Sequence, residues 1–532
     1  RQMCIRDRIN NNTTDSWVID NILNYKNTFG KHSIDLTAVA TRDRKKYEMI
    51  ETTGSNFAAN GNTTLGINGL HKATVQKVNM DNNQRSNIGY LGRASYSYDD
   101  RYFFTGSYRR DGASVFGVNQ KWGDFFAFGG AWRLSSEKFM SSISYLDDLK
   151  LKLSWGKNGN QGLDPYGTLS TINNGASGGV RYEFGGSDII YGLNQKALGN
   201  ANLGWETTES WNTGFESAWL GSRLFVDLDL YFSKTTDQIF TRDIPVMTGF
   251  KNMKSSMGQV NNRGVELTIR SVNIDTQDWY WTTNLTFWLN RNKLIHLYGE
   301  DLDGDGREDD DISNSRFIGK PLGAIYGYLQ DGIVQETDVE YMKANGATPG
   351  IPKYKDMDND GVITSADRII LGYSTPNFKL NMSNTITYKN WDLYFMLTGT
   401  FGGGGYYQKS NKGAYLTNGS GRFNTNGIYI PWWTPENKSN EYPAATFNDD
   451  GGRFLGLQNR AFVRLQDVTL SYTFREPWVQ KVNIQNLKVF FTAKNLFTIT
   501  KWQGGDPEVG VTVSENTYPV LTSFSLGANI SF

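Results

Sequence analysis

Apolar and polar side chains alternate along many stretches of the chain, and the clearest stretch runs from residue 224 to residue 233. Its members are Leu224, Val226, Leu228, Leu230 and Phe232, alternating with Phe225, Asp227, Asp229, Tyr231 and Ser233. Successive side chains of a β-strand point to opposite faces, so the pattern predicts a strand with one apolar and one polar face. The last ten residues repeat this alternation and end on Phe532.

The same alternation recurs from end to end and predicts fifteen strands. They span residues 17–28, 31–42, 89–98, 101–110, 122–134, 149–158, 206–220, 224–239, 263–272, 279–289, 378–389, 391–400, 462–474, 487–497 and 523–532. Their lengths are close to the ~9–11 residues that a tilted strand needs to cross a bilayer. An all-β fold is therefore expected, and membrane-spanning strands fit it.

The connections between these strands alternate between tight and long. The tight turns are Tyr98–Arg101, Leu220–Arg223 and Tyr388–Trp391, and the long excursions are 45–88, 159–205, 241–262, 290–377, 401–461 and 498–522. Counting antiparallel strands back from the C-terminus puts every tight turn on one side, provided that 290–377 adds no spanning strand or an even number. Short turns on one side and long loops on the other are typical of outer-membrane barrels.

Aromatic residues collect near the ends of the predicted strands, at Trp122, Trp132, Trp155, Trp205, Trp219, Trp279, Trp391 and Tyr472. Aromatic girdles mark both membrane interfaces of transmembrane barrels. The alternative is that these rings fill the core of a soluble β-sandwich, and the asymmetry of the loops argues against it.

Composition excludes several classes of protein. The 532 residues include 15 Trp, 28 Tyr and 30 Phe, which is too aromatic for a disordered chain. Lys and Arg together number 54, as do Asp and Glu, so the chain lacks the excess positive charge of a nucleic-acid binder. No apolar run reaches the ~18 residues of a membrane-spanning helix.

The few cysteine and histidine residues offer no candidate disulfide or metal site. Cys4 is a single thiol and cannot form an intramolecular disulfide or a zinc cluster, and His32, His71 and His296 are far apart. Residues 1–8 carry that thiol and fit no later pattern, so we expect them to be foreign to the natural protein.

Several segments resemble the SusC/RagA family, the TonB-dependent outer-membrane transporters of glycan- and peptide-scavenging Bacteroidetes. They are Arg101–Ser114, Asn202–Thr207, Asn261–Leu267, Trp433–Asn437, Asn495–Thr498, Gly505–Glu508 and the terminal Phe532. These motifs occur in the family's order and span nearly the whole chain after about residue 10.

This resemblance implies a transmembrane antiparallel β-barrel in the cell outer membrane, surrounded by lipid and of the large 22-stranded, plugged type. Residues 9–532 would be its C-terminal portion, about 15 of the 22 strands, with long extracellular loops. The plug, the TonB box and the signal peptide would lie outside this chain. The function implied is active import of oligosaccharides or peptides, driven by TonB through the plug region and assisted by a SusD-like surface lipoprotein, without enzymatic activity.

Residues 356–367 match a calcium-loop pattern. The ligand positions are Asp356, Asp358, Asp360, Val362, Thr364 and Asp367, with Gly361 at position 6. Calcium takes six to eight oxygen ligands, and the glycine lets the chain turn sharply around them. Asp367 replaces the usual bidentate Glu, so weak affinity is expected. The alternative is an acidic turn held by its own backbone hydrogen bonds.

A second acidic run, Asp301–Asp311, begins with the same pattern. It places Ile312, an apolar residue, at position 12 of the loop. A solvated acidic loop is therefore the favoured interpretation, and a second metal site is the alternative.

Aromatic rings in the long loops are the candidates for substrate contact, because they stack on sugars and bury peptide side chains. The candidates are Tyr406, Tyr407, Trp432, Trp433 and Trp502. Trp432 and Trp433 overlap a family motif, so packing within the loop or docking of the lid lipoprotein is an alternative role for them. The run Gly402–Gly405 is not followed by the Lys-Ser/Thr pair of a phosphate-binding loop. We therefore predict that it is a flexible hinge.

Two functions from other classes compete with transport. One is a secreted calcium-dependent glycan-binding β protein, and the other is a polysaccharide-cleaving enzyme. Asp227 and Asp229 project to one face, but a glycosidase needs two carboxylates ~5–9.5 Å apart across a bound sugar. The polar face of a wide barrel contains such pairs without catalysis.

Overall fold

The computed structural model describes residues 6–57, 66–173, 181–183, 189–192, 194–250, 252–406, 431–447, 457–475, 478–479, 484–502, 506–508 and 520–532. Fifteen of the described strands form one antiparallel sheet, in the order β1-β2-β3-β4-β5-β6-β11-β12-β13-β14-β19-β20-β23-β24-β25. Each main-sheet strand therefore pairs with the next one along the chain, and β1 and β25 are the two edges.

The strands, numbered in chain order, are β1 (Arg6–Phe29), β2 (His32–Ser55), β3 (Val75–Tyr98), β4 (Tyr102–Ala113), β5 (Trp122–Arg133), β6 (Leu146–Asn160), β7 (Thr171–Asn173), β8 (Arg181–Glu183), β9 (Ile189–Tyr191), β10 (Asn194–Ala197), β11 (Glu206–Trp219), β12 (Leu224–Asp243), β13 (Asn252–Asp275), β14 (Trp279–His296), β15 (Ala324–Tyr328), β16 (Gln330–Ile333), β17 (Pro352–Tyr354), β18 (Arg368–Tyr373), β19 (Phe378–Tyr388), β20 (Trp391–Phe401), β21 (Gly404–Tyr406), β22 (Leu457–Asn459), β23 (Phe462–Phe474), β24 (Asn486–Thr500) and β25 (Ser523–Ser531). The helices are α1 (Val339–Asn345) and the 3₁₀ turns Gly66–Lys72, Leu134–Ser136, Lys138–Met140, Val246–Thr248, Ile312–Asn314 and Ser365–Asp367.

All fifteen predicted strands are confirmed. The excursion between β14 and β19 also adds no strand to the main sheet, as the predicted placement of the turns required. The four strands in that excursion, β15 to β18, pair only with one another in two small sheets. Every tight turn therefore lies on the same side of the main sheet, and the long loops lie on the other.

The register separates the main sheet into an apolar face and a charged face. On β12, Leu228 lies opposite Phe215 of β11 and Leu267 of β13, whereas its neighbour Asp229 lies opposite Gly214 and Glu266. The alternation predicted from the sequence thus continues from strand to strand, as cross-strand pairing requires.

Several strands are much longer than predicted. The strands β1, β2 and β3 each contain 24 residues, and β13 also contains 24. The added residues lie on the long-loop side, where the sequence is polar on both faces, as in Asn10–Thr14. Strand pairing continues there through backbone hydrogen bonds and polar cross-strand contacts such as Arg8 with Glu51, so apolar alternation could not reveal it. The first strand begins at Arg6, inside the segment expected to be foreign, and that expectation stays a prediction.

Residues in the left-handed region close the tight turns. Asp99 and Asp100 have φ values of 52° and 51°, as the two central residues of a type I′ turn require, and the Arg101 N–H donates to the Tyr98 carbonyl. The turn between β11 and β12 uses Leu220, Gly221 and Ser222, all with positive φ.

Aromatic rings pair at the short-turn ends of the strands. Trp279 packs on Tyr388 at 4.4 Å between ring centroids, and Trp391 packs on Tyr472 at 4.8 Å. Trp205 behaves differently, because it contacts Phe116 and Phe125 in a buried cluster on the long-loop side. None of the described helices is long and apolar enough to cross a membrane.

Candidate functional site

Charged residues on the charged face form a cross-strand network. Lys152 Nζ on β6 lies 2.8 Å from Asp227 Oδ1 and 3.1 Å from Asp229 Oδ2, both on β12, and 3.3 Å from Glu216 Oε1 on β11. A second pair, Lys488 and Asp392, joins β24 to β20 across β23 at 2.9 Å. This face carries charged side chains, as the polar lumen of a barrel is expected to.

Gly214 leaves room for the reach of Lys152 across β11. A Cβ at this position would clash with the Leu228 carbonyl oxygen and lie 2.6 Å from Asp229 Oδ1. The missing side chain therefore lets Lys152 reach over β11 to the carboxylates of β12.

Arg460 joins three segments at the mouth of the sheet. Its Nε donates to the Gly404 carbonyl at 3.1 Å, Nη1 to the Pro507 carbonyl at 3.2 Å and Nη2 to the Ser374 carbonyl at 2.9 Å. The three carbonyls belong to three different long loops. One guanidinium thus fixes their relative positions, and burial lowers the pKa of Arg460 below its ordinary value.

Arg464 anchors the last long loop to β23. Its Nη2 lies 2.9 Å from Asp506 Oδ1, its Nη1 lies 2.6 Å from Glu508 Oε2, and its Nε donates to Thr498 Oγ1 at 2.9 Å. The side chains of Arg464 and Asp506 are only 6% and 4% exposed. A buried charge pair with all these hydrogen bonds holds the Asp506–Glu508 segment in one position.

The predicted calcium loop folds around three of its carboxylates. One oxygen each from Asp356, Asp358 and Asp367 lies within 4.8 Å of the others. Asp356 Oδ1 accepts the Asn359 N–H at 2.7 Å, and Asp356 Oδ2 accepts the Gly361 N–H at 2.7 Å. Positive φ at Asn359 and Gly361 bends the chain back around these oxygens.

Asp367 closes the loop and is fully buried. Its Oδ1 accepts the Met357 N–H and its Oδ2 accepts the Thr364 N–H, each at 2.7 Å. The N–H groups of Thr364 and then Met357 lower the pKa of Asp367, which stays ionised. The Ile363 N–H donates to Asn345 Oδ1 at the end of α1, so the loop is also fixed from outside.

Charge repulsion within this loop shows at Asp358. The Asp360 N–H acts to lower the pKa of Asp358, but burial and the negative charges of Asp360 and Asp367 together raise it above its ordinary value. A bound cation would relieve that repulsion.

The remaining predicted ligands make bonds inside the loop. Asp360 Oδ1 accepts the Val362 N–H at 2.8 Å, and Thr364 Oγ1 accepts the Ala366 N–H at 3.2 Å. Asp360 is not part of the group of three carboxylates that approach one another. The residues present fit an oxygen-ligated cation, with three carboxylates grouped and Asp360 beside them.

The second acidic run forms a shorter version of the same loop. Asp301, Asp303 and Asp309 bring one oxygen each within 4.8 Å of the others. Asp309 Oδ2 accepts the Leu302 N–H at 2.7 Å, as Asp367 accepts that of Met357. The closing carboxylate is thus at position 9, whereas the calcium-loop pattern expects it at position 12.

Four of the five predicted substrate-contacting aromatics lie among the described residues. Trp433 is buried, and its Nε1 donates to Gln335 Oε1 at 2.9 Å, while Trp502 is 5% exposed. Trp432 is half-buried, Tyr406 ends β21, and Tyr407 lies outside the described residues. Trp433 therefore joins its own loop to the excursion between β14 and β19, and substrate contact by these residues stays a prediction.

Sequence reasoning missed Arg460 and Arg464. Arg460 lies just before β23, and Arg464 lies near the start of that strand. In the sequence, an arginine at either position looks like an ordinary polar residue. The only available signal was the position of Arg464 at the outer end of a strand whose neighbouring loop contains Asp506 and Glu508.

Comparison with known proteins agrees with this architecture. The family described as TonB dependent receptor-like, beta-barrel matches residues 5–496. SusC of Bacteroides thetaiotaomicron is 30% identical over 478 residues, which is 87% of this chain and 45% of that protein. TonB-dependent receptor P3 of Formosa agariphila is 28% identical over 540 residues, 98% of this chain and 52% of that protein.

A solved structure shares the fold. The RagAB peptide transporter superposes with a TM-score of 0.77 at 23% identity, over 99% of this chain and 56% of that one. The chain thus spans about half the length of the relatives it matches. The fifteen-stranded sheet, its two faces and these matches together show that the chain belongs to the TonB-dependent receptor β-barrel family, in its SusC/RagA branch, and is a protein of the outer membrane.

Proposed function

We propose that this chain is the C-terminal barrel wall of an active importer of oligosaccharides or peptides. The observation that supports it best is the division of the main sheet into an apolar face and a charged face, with all long loops at one end. The apolar face meets lipid, the charged face lines a passage wide enough for polar substrate, and the loops form the extracellular mouth.

The relatives support the same proposal. SusC and the receptors of Formosa agariphila bear the TonB-dependent name, and the RagAB structure is described as a peptide transporter. In our proposal, substrate binds between the long loops and a SusD-like lipoprotein, and TonB acts through a plug region. None of these steps breaks a covalent bond in the substrate, so no catalytic residue is assigned.

Folded long loops suit a binding mouth. The segment between β14 and β19 contains two small sheets and α1, and Arg460 joins it to the two loops that follow. A substrate surface needs such order, because groups held in place lose less entropy on binding.

The test is uptake by bacteria carrying the full-length parent protein. We expect fluorescent oligosaccharides or peptides of one class to enter cells, and a protonophore or deletion of TonB to abolish entry. Deletion of an adjacent SusD-like gene should reduce uptake, and affinity purification of the parent should recover that lipoprotein. Uptake that persists without TonB would contradict the proposal.

We also propose calcium binding by the loop 356–367. Three grouped carboxylates, one of them raised in pKa by its neighbours, support it. Calcium would supply structure there by drawing Asp356, Asp358 and Asp367 together, with weak affinity suited to extracellular concentrations.

Equilibrium dialysis with radioactive calcium tests this second proposal. Asp356→Asn should remove about one bound ion per chain, whereas Asp331→Asn, an exposed acidic residue outside the loop, should remove none. Equal binding by the two variants would refute the calcium site.

A further inference from the structure

The apolar face of β13 and β14 ends at the same level on both strands. The apolar side chains on this face are Val265, Leu267 and Ile269 of β13, which lie opposite Leu289, Phe287 and Leu285 of β14. The next residues on this face, toward the long loops, are Arg263 and Arg291. Two positive charges thus stand at the extracellular boundary of the lipid-facing belt.

These two arginines lie directly opposite each other in the register, and Lys293 follows two residues beyond Arg291. All three side chains are exposed. Like charges opposite one another on a sheet are unfavourable unless an anion lies between them. In the part of the chain that the structure describes, none of the three forms an ion pair.

Several other basic residues on the same face have acidic neighbours. Arg110 lies 3.8 Å from Asp124, and Lys46 lies 2.6 Å from Glu48. Lys234 lies opposite Glu209 in the register. By contrast, Arg263, Arg291 and Lys293, which we name the basic cluster, group three positive charges of which none forms an ion pair among the described residues.

The basic cluster is partly held in place. Arg291 Nη1 donates to the carbonyls of Asn290 at 3.0 Å and Asn377 at 2.6 Å, which fixes its guanidinium beside the start of β19. A Cβ at Gly319 would lie 3.7 Å from Lys293 Cε, so the lysine stem runs beneath that turn. The other guanidinium nitrogens of Arg291 and those of Arg263 have no acceptor among the described residues.

We propose that the basic cluster binds the phosphate groups of an outer-leaflet glycolipid whose acyl chains lie on the apolar belt of β13 and β14. Arginine binds phosphate in a bidentate manner, and lysine adds a point charge. A phosphate at this level would separate the two opposed arginines, and the same lipid would cover Val265 and Leu289 with hydrocarbon. The chemistry that recognises this partner is an anionic headgroup on several acyl chains.

The test measures binding of fluorescent diphosphoryl lipid A to the detergent-purified full-length parent protein. The variant Arg263→Gln/Lys293→Gln leaves the backbone bonds of Arg291 intact, and we expect it to bind roughly 10- to 100-fold more weakly. The matched control, Arg223→Gln/Lys389→Gln, removes two cations at the short-turn end and should bind as the wild type does.

Two further probes identify the source of the phosphate. Lipid A stripped of phosphate should bind as weakly as the double variant, and millimolar inorganic phosphate should not displace the intact lipid. Equal binding by the double variant and the wild type would overturn the proposal. Displacement by inorganic phosphate at the same concentration as lipid A would also overturn it, because the site would then recognise a free ion.

Discussion

At the scale of single residues, Arg464 shows how a loop of this protein is fixed. It occupies the outer end of β23 on the charged face and pairs with Asp506, and both side chains are almost fully buried. Asp506 Oδ1 also accepts the Glu508 N–H at 2.9 Å, and its Oδ2 accepts the Val520 N–H at 3.2 Å. The loop conformation therefore depends on a charge pair that water scarcely reaches.

Arg464→Met should release this loop. Removing one partner of a buried pair leaves the other charge uncompensated, which costs about 3–5 kcal/mol. We expect faster proteolytic cleavage and faster hydrogen exchange in residues 506–508 with little change elsewhere. Glu508→Gln is the matched control, since the Glu508 side chain is half exposed and should matter much less. Equal protection in both variants would contradict this role of Arg464.

Leu228 tests the assignment of the apolar face. Leu228→Arg places a charge in the lipid belt between Phe215 and Leu267, and the cost should be about 2–4 kcal/mol near the midplane. Assembly of the full-length protein into outer membranes, followed by quantitative immunoblotting, should fall. Asn212→Arg, on the charged face of β11, should assemble normally. Wild-type yield for Leu228→Arg would show that the two faces are reversed.

At the scale of elements, the loop after β14 depends on ionised carboxylates. Glu308 Oε1 accepts the N–H groups of Leu297 and Gly299, each at 2.7 Å. Burial acts to raise the pKa of Glu308, but these backbone bonds and His296 outweigh it and hold the pKa below the ordinary value of 4.5. The turn is therefore stabilised by a negative charge.

Acid should loosen this turn. Because the folded pKa of Glu308 is depressed, its stabilisation is fully present above pH 4.5 and disappears as pH falls through the folded pKa. Protection factors of the Leu297 and Gly299 amides should therefore drop below about pH 4.5. In Glu308→Gln they should be low at neutral pH and independent of pH over this range. A wild-type profile that is flat would contradict the interpretation.

Several strands are longer than the stretch of them that would cross a bilayer. The apolar stretch of β12 covers Leu224 to Phe232, which matches the ~9–11 residues of a bilayer crossing, yet the strand continues to Asp243. Beyond the bilayer, β1, β2 and β3 extend as a paired wall on the extracellular side. Length is set there by backbone pairing and not by lipid.

At the scale of the whole molecule, the full-length parent should behave as a closed outer-membrane barrel. We expect it in the outer-membrane fraction, and unheated samples should migrate differently from boiled ones on a denaturing gel. A barrel without free edges resists unfolding by detergent until it is heated, because every strand is hydrogen-bonded on both sides. Soluble material with unchanged mobility would favour a secreted glycan-binding protein instead.

The sequence by itself determined the number of main-sheet strands, their order and the side of each turn. Apolar alternation records which face of a strand meets lipid, and this requirement acts on each strand separately. Turn residues such as Asp99 and Asp100 are equally local, since the two central residues of a type I′ turn need positive φ. The acidic loop at 356–367 was also readable, because its carboxylates are close in sequence.

Only the tertiary structure decided the strand lengths beyond the bilayer and the groups that hold the mouth together. The partners of Arg460 and Arg464 lie tens of residues away, on loops whose paths no local pattern specifies. The same holds for the basic cluster, where Arg263 and Arg291 are 28 positions apart and meet through the register of β13 with β14. Pairing between strands brings distant residues together, and the register of that pairing could not be read from the sequence alone.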